Sequence, residues 1–132
     1  MCVDQESQKK AESFALRIEP VDNWHAQWPS VLSSIEQAGQ RKALLVDMDG
    51  WLSARQVLLV AFSQAQNVQQ VAGHICFRIM PITDAAGQVV VQAHLDAFGV
   101  KPGFEKLEID SALKLAAQQR AADLKCSTLV GF

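Results

Sequence analysis

Val100 to Leu129, VKPGFEKLEIDSALKLAAQQRAADLKCSTL, reads as the end of a strand, a tight loop, one amphipathic helix and the start of another strand. Leu113, Ala117, Ala121 and Leu124 are spaced four, four and three, which predicts a helix over 110–125 with one apolar stripe. Its alanines favour helix and let it lie close against a sheet. A helix N-terminus at the end of a strand is a place to hold a phosphate, because it offers free N–H groups and the positive end of a dipole. In this loop stand Glu105, Glu108 and Asp110. A position suited to an anion carries anions of its own.

Upstream, Val71 to Met80 alternates apolar and polar residues, and Val89 to Phe98 does so again. The two runs predict a β-hairpin with a loop over Pro81–Gly87. Val71, Gly73, Ile75, Phe77 and Ile79 fall on one face of the first run; His74, Cys76, Arg78 and Met80 fall on the other. In the second run, Val89, Val91, Ala93, Leu95 and Ala97 share a face, and Gln92, His94 and Asp96 oppose them. VLLVAF, Val57–Phe62, is a short apolar strand, and the polar stretch Gln64–Gln70 reads as a turn. Residues 40–56 fit a second helix or a short strand and loop.

Toward the N-terminus, Phe14, Leu16 and Ile18 alternate with Arg17 and Glu19 in a strand that runs to about Val21. Asp22 or Asn23 is a helix-capping type. Trp24, Trp28, Val31, Leu32 and Ile35 then recur at helical spacing. Pro29 moves the helix start toward Trp28, and Gly39 is its stop. The two tryptophans are expected to pack helix on sheet. Residues 1–13 lack apolar anchors and are expected to be a flexible tail on a single domain spanning 14–132. The last strand is expected over Cys126–Phe132.

The chain has 132 residues, 49% of them hydrophobic, which is enough for a core. Its net charge is −2 and it has no basic run, which argues against nucleic-acid binding. No apolar stretch reaches the roughly 18 residues of a membrane span. Cys2, Cys76 and Cys126 are far apart, so neither a metal site nor a disulfide framework is indicated, and a cytoplasmic location is expected. The chain has no tyrosine, which removes phenol as an acid or base.

This order of elements resembles the GNAT superfamily of acyl-CoA-dependent N-acyltransferases. The likeness is most specific from Val71 to Leu129. Phe98-Gly99-Val100-Lys101-Pro102 matches the end of the family's central strand. Phe104, Ile109, Ser111, Ala112 and Leu113 match its helix entry, and Leu124 to Leu129 the Leu/Gly-Cys-x-x-Leu pattern in which that helix ends. The resemblance implies an α/β fold with a mixed, mostly antiparallel sheet flanked by helices. It implies acetyl-CoA as cofactor and an amine as acceptor. Backbone groups of Phe98, Val100, Ile109 and Ser111 would then bind the cofactor.

The family's loop carries Arg or Gln and then glycines. Here Glu105 stands at the Arg/Gln position, and Lys106, Glu108 and Asp110 stand at glycine positions. Two unit charges about 5 Å apart repel by roughly 3 kcal/mol at an effective dielectric of about 20. Weak or lost cofactor binding is therefore expected. The same acids also suit a helix N-terminus, and Asp110 is an N-cap candidate. The family's C-terminal helix and strand pair, which often supplies a catalytic tyrosine, has no counterpart before Phe132. An open sheet edge and a homodimer across it are expected.

Two further motifs carry chemistry. His74, His94 and Asp96 are placed on one hairpin face, with His74 opposite His94 or Asp96 according to register. A His–Asp pair of that kind is a general base, so His94 and Asp96 are the catalytic candidates. ALLVDMDGWL, Ala43–Leu52, resembles the first motif of haloacid-dehalogenase-type phosphatases, with Asp47 as nucleophile and Asp49 as acid/base. Trp51 replaces the motif's usual threonine, and Asp-Gly is also a turn signal. The alternative to an enzyme is a non-catalytic GNAT-like module that acts by dimerisation or by binding a protein partner.

Overall fold

The computed structural model describes residues 16–45, 52–65, 68–104 and 106–132. The tail assigned to 1–13, Phe14, the Asp47 and Asp49 motif and Glu105 lie outside the described residues. Five strands form one sheet in the order β1 (Leu16–Pro20), β2 (Gln56–Ala65), β3 (Val68–Thr83), β4 (Val89–Val100), β5 (Thr128–Val130). The first four are antiparallel neighbours, and β5 runs parallel to β4. Helix α1 (Trp28–Gln37) covers one face of the sheet and α2 (Lys106–Asp123) the other. This is the expected α/β architecture. Among the described residues no helix is long and apolar enough to cross a membrane.

Each helix forms for a local reason. Pro29 sits in the first turn of α1, where its missing N–H costs nothing. Trp28, Val31 and Ile35 point into the sheet, and Gly39, at φ +74°, ends the helix as expected. Asp22 does not cap it. Its Oδ1 accepts from Trp24 N at 2.9 Å and turns the chain ahead of the helix. Trp24 is 77% exposed, against the expectation that it packs on the sheet.

Helix α2 buries Ile109, Leu113, Ala117 and Ala121 on β2, β3 and β4. It begins at Lys106, about one turn earlier than its apolar spacing predicts. Asp110 is thereby inside the helix and not at its cap. Past the helix, β5 is shorter than expected, and the Phe132 ring tilts against Phe77 with centroids 5.7 Å apart.

The strands are longer than the sequence suggests. Gln64, Gln69 and Gln70 belong to the β2–β3 ladder, where a turn was expected. Pro81, Ile82 and Thr83 belong to β3. The β2 ladder starts at Gln56 opposite Arg78, so Pro81 lies past it and needs no N–H on that side. The hairpin turn is compressed into Asp84–Gln88, where Asp84 Oδ1 accepts from the N–H groups of Ala86 and Gln88, both at 2.9 Å.

Two β-bulges reset the faces. Between the pairs Phe62–Val71 and Ala61–Gly73, Ala72 is the extra residue. Val71 therefore packs with Phe62 under α1, away from Ile75 and Phe77. Between Cys76–Ala97 and Phe77–Leu95, the extra residue is Asp96. Ala97 therefore joins the α1 side while Ala93 and Leu95 stay under α2. A bulge sends two successive side chains to one face and strengthens local twist.

Candidate functional site

The second bulge positions the site. β5 pairs only with Gln92, Ala93 and His94 of β4. From Leu95 to Val100, β4 keeps β3 on one side and has no strand on the other among the described residues. Lys101 N donates to Ala72 O at 2.8 Å, which makes that pair a hydrogen-bonded one. In an antiparallel ladder such pairs alternate with pairs whose N–H and C=O point outward. Phe98, opposite Ile75, and Val100, opposite Gly73, are the outward pairs.

Gln40 meets this edge. Its Nε2 donates to Phe98 O at 2.9 Å, and its Oε1 lies 2.7 Å from His74 Nε2. A carbonyl only accepts, so the amide orientation is fixed, and His74 must carry its proton on Nε2 and donate it. His74 is buried, and burial lowers its pKa from 6.5 to about 4, which keeps the ring neutral. The ring lies where a Gly99 side chain would be, 3.0 Å from that Cβ position. Gly73 is more tightly constrained: a Cβ there would stand 2.8 Å from Gly99 O and 3.1 Å from both Ile109 and Leu113. Beside these residues opens a cleft of about 560 Å³, lined by Gln37, Gln40, His74, Gly99, Val100 and Lys101 among others.

The N-terminus of α2 follows β4 after one short turn. Lys106, Leu107 and Glu108 have no helical carbonyl one turn behind them, so their N–H groups face outward. Ile109 is buried against the Gly73 position. Ser111 is exposed in the second turn, and its N–H belongs to the helix's own ladder. Glu108 is exposed. Asp110 pairs with Lys114 at 3.1 Å, and Lys114 Nζ lies 5.3 Å from the centroid of the Phe98 ring. The acids of this end are thus unequal, because Asp110 carries its own counter-ion and Glu108 has none among the described residues.

No protein-family model and no curated protein matches the chain. Solved structures do. An acetyltransferase of Trypanosoma brucei superposes with a TM-score of 0.60 at 15% identity, over 87% of this chain and 80% of that one. A ribosomal-protein-alanine N-acetyltransferase of Brucella melitensis biovar Abortus gives 0.64 at 17%, over 88% and 78%. A glucosamine-6-phosphate N-acetyltransferase of Arabidopsis thaliana gives 0.61 at 8%, over 88% and 80%. The chain has the GNAT fold.

Within this GNAT fold, the catalytic candidates are held apart. Asp96 Oδ1 accepts from Arg78 Nε and its Oδ2 from Gln56 Nε2, both at 2.9 Å. His94 Nε2 lies 2.9 Å from Gln92 Oε1. His74 is opposite Gly99, not His94 or Asp96. The expected cross-strand His–Asp pair is not formed, because the β3–β4 register sets His74 opposite Gly99 and His94 opposite Arg78, and Arg78 takes the Asp96 carboxylate. Cys76 beside it is inert: burial first, and the Asp96 charge second, push its thiol up to about 12. Among the described residues no group of three His, Cys, Asp or Glu is arranged to hold a metal.

Two residues of this network escaped the sequence reading. Gln56 is buried, accepts from Leu45 N at 2.6 Å and donates to Ala43 O at 2.9 Å as well as to Asp96. Gln40 does the equivalent at the other end of the bulged segment. Both fall in the stretch whose secondary structure the sequence left open.

Proposed function

We propose that this chain is an N-acetyltransferase-family protein that takes an acyl group from acetyl-CoA to an amine, with weakened cofactor binding. The observation that carries the reading is the outer edge of β4, where Phe98 and Val100 turn their N–H and C=O groups outward just as β5 leaves the sheet. That edge suits a linear, amide-bearing arm, which binds such a strand by main-chain-type hydrogen bonds. When bound, the cofactor supplies the activated thioester. The chain supplies an outward N–H at Phe98 that stabilises negative charge on a carbonyl oxygen laid against it.

The diphosphate end fits less well. The outward N–H groups of Lys106 to Glu108, with Lys101 and Lys114 nearby in sequence and fold, attract an anion. Glu108 opposes it and Asp110 already engages Lys114. Titration calorimetry with acetyl-CoA is the test, with a dissociation constant in the high-micromolar to millimolar range expected. Low-micromolar binding would refute the weakened site, and no binding at any soluble concentration would refute the acyltransferase reading.

A second reading, a non-catalytic module, is favoured by the absence of a paired His and Asp among the described residues and by β5. Its Leu129 and Val130 side chains are exposed, and it pairs with β4 alone among the described residues. An unpaired strand edge is a template for another strand. A homodimer through this edge is part of the proposal, as is a cytoplasmic location, which rests on the cysteine usage. Sedimentation equilibrium at micromolar concentration tests the dimer, and a monomer there removes it.

A further inference from the structure

We propose that Gln40 is a placeholder on the outer edge of β4, occupying the hydrogen-bond position that the amide-bearing arm of an incoming acyl carrier must take. The inference rests on the reading of that edge given above. Phe98 O points away from β3 and is met by Gln40 Nε2 at 2.9 Å. A primary carboxamide donates to a strand carbonyl as a secondary amide of a linear arm does, so the two compete for the same place beside Phe98 O on the outer edge. Gln40 is a half-buried side chain on the turn after α1, and it borders the cleft of about 560 Å³. It therefore has room to leave.

Its other end is held more firmly. His74, fixed in the sheet and packed at Gly99, donates Nε2–H to Gln40 Oε1 at 2.7 Å. Displacement of Gln40 breaks the Phe98 bond, which the arm replaces, and strains or breaks the His74 bond, which the arm does not replace. Gln40 thus sets a threshold for binding: the arm competes against an internal amide already seated. The opposite role, in which Gln40 merely steadies the Phe98 peptide for the ligand, predicts an effect of the opposite sign.

The test is an NMR titration of the wild-type chain, Gln40→Ala and Gln40→Met with pantetheine, a neutral probe, and with acetyl-CoA. Gln40→Ala is expected to bind both ligands about 5-fold more tightly, the worth of one net hydrogen bond. The gain is expected to be the same for both, because it acts on the arm and not on the diphosphate. In the wild type, the Gln40 side-chain amide resonances are expected to shift with the same affinity as the Phe98 amide. Gln40→Met keeps the bulk and cannot donate, so a smaller gain is expected. It decides the matter if Gln40→Ala melts at the temperature of measurement. Equal or weaker binding by the variants, with the wild type binding, overturns the placeholder and leaves the proposed function standing. Binding by none of the three proteins, to either ligand, overturns both.

Discussion

Gln56 and Asp96, 40 residues apart in the chain, are joined by a hydrogen bond of 2.9 Å from Nε2 to Oδ2. The same buried amide bonds Ala43 O and Leu45 N, so one side chain ties the β4 bulge to the segment that follows α1. Gln56→Ala would leave three polar groups without this partner while Arg78 still holds Asp96. Each unmet buried group costs about 1–3 kcal/mol. The variant is expected to lose about 2–4 kcal/mol in urea unfolding, with loss of the outward Phe98 geometry. A change below about 1 kcal/mol would show that water replaces the amide.

Stability should depend on acid through His74. Its pKa is lowered from 6.5 to about 4 by burial, so the unfolded chain binds the proton first as pH falls. Stability from this group is complete above about 6.5 and is lost as pH drops toward 4, by about 3 kcal/mol in all. His74→Gln, which stays neutral, is expected to flatten that part of the curve relative to wild type. The check is the difference between the two unfolding free energies at pH 7 and at pH 4.5. If it does not change between those two pH values, the ring is not neutral and buried in the native protein.

The strands and helices that position the site were legible where burial is one-sided and periodic. Leu113, Ala117 and Ala121 mark α2, Ile75 and Phe77 mark β3, and Gly39 marks the end of α1. The faces of Val71 and Ala97 were not legible, because a bulge is a mismatch between two strands and neither strand encodes it alone. Gln64, Gln69 and Gln70 read as a turn, since a glutamine looks alike in an exposed ladder and in a loop. Gln40 and Gln56 were missed for a related reason. A neutral amide has no charge or metal-ligand spacing to announce it, and its partners lie 34 to 58 residues away in the Gln40 case. The β4 edge was legible at Phe98 and Val100 as positions. Which of their groups point outward required the register.

Gly73 and Gly99 test that register. A Cβ at Gly73 meets backbone, Gly99 O, at 2.8 Å, with Ile109 and Leu113 behind it. Neither strand nor helix can give way cheaply, and Gly73→Ala is expected to cost about 2–3 kcal/mol by overpacking. At Gly99 the Cβ meets the His74 ring at 3.0 Å and Gln40 Nε2 at 3.7 Å, both side chains. Gly99→Ala is expected to cost less, about 1 kcal/mol, mainly by displacing the His74 ring, while the contact to Gln40 stays at ordinary van der Waals distance. Thermal or urea unfolding ranks the pair, and a larger loss at Gly99 than at Gly73 would contradict the packing of α2 on β3.

The acids at the start of α2 give the sharpest electrostatic test, because their surroundings differ. Asp110 is compensated by Lys114 at 3.1 Å, whereas Glu108 is exposed in the first turn, where three N–H groups face outward. A dianionic diphosphate near that end meets the Glu108 charge at nearly full strength and the Asp110 charge as part of a pair. Glu108→Gly is therefore expected to tighten binding of coenzyme A about 10-fold, near 1.4 kcal/mol. Asp110→Gly frees Lys114 and should add a smaller gain. Each glycine weakens the helix by about 1 kcal/mol, which limits the benefit near the melting temperature. Added salt screens such exposed charges, so the advantage of Glu108→Gly should shrink between about 50 mM and 500 mM ionic strength. Calorimetry at both salt levels reads it. An Asp110 effect larger than the Glu108 effect would mean that the diphosphate lies deeper along α2 than its free N–H groups. No gain from either would mean that the turn after Val100 holds its backbone out of reach of the ligand.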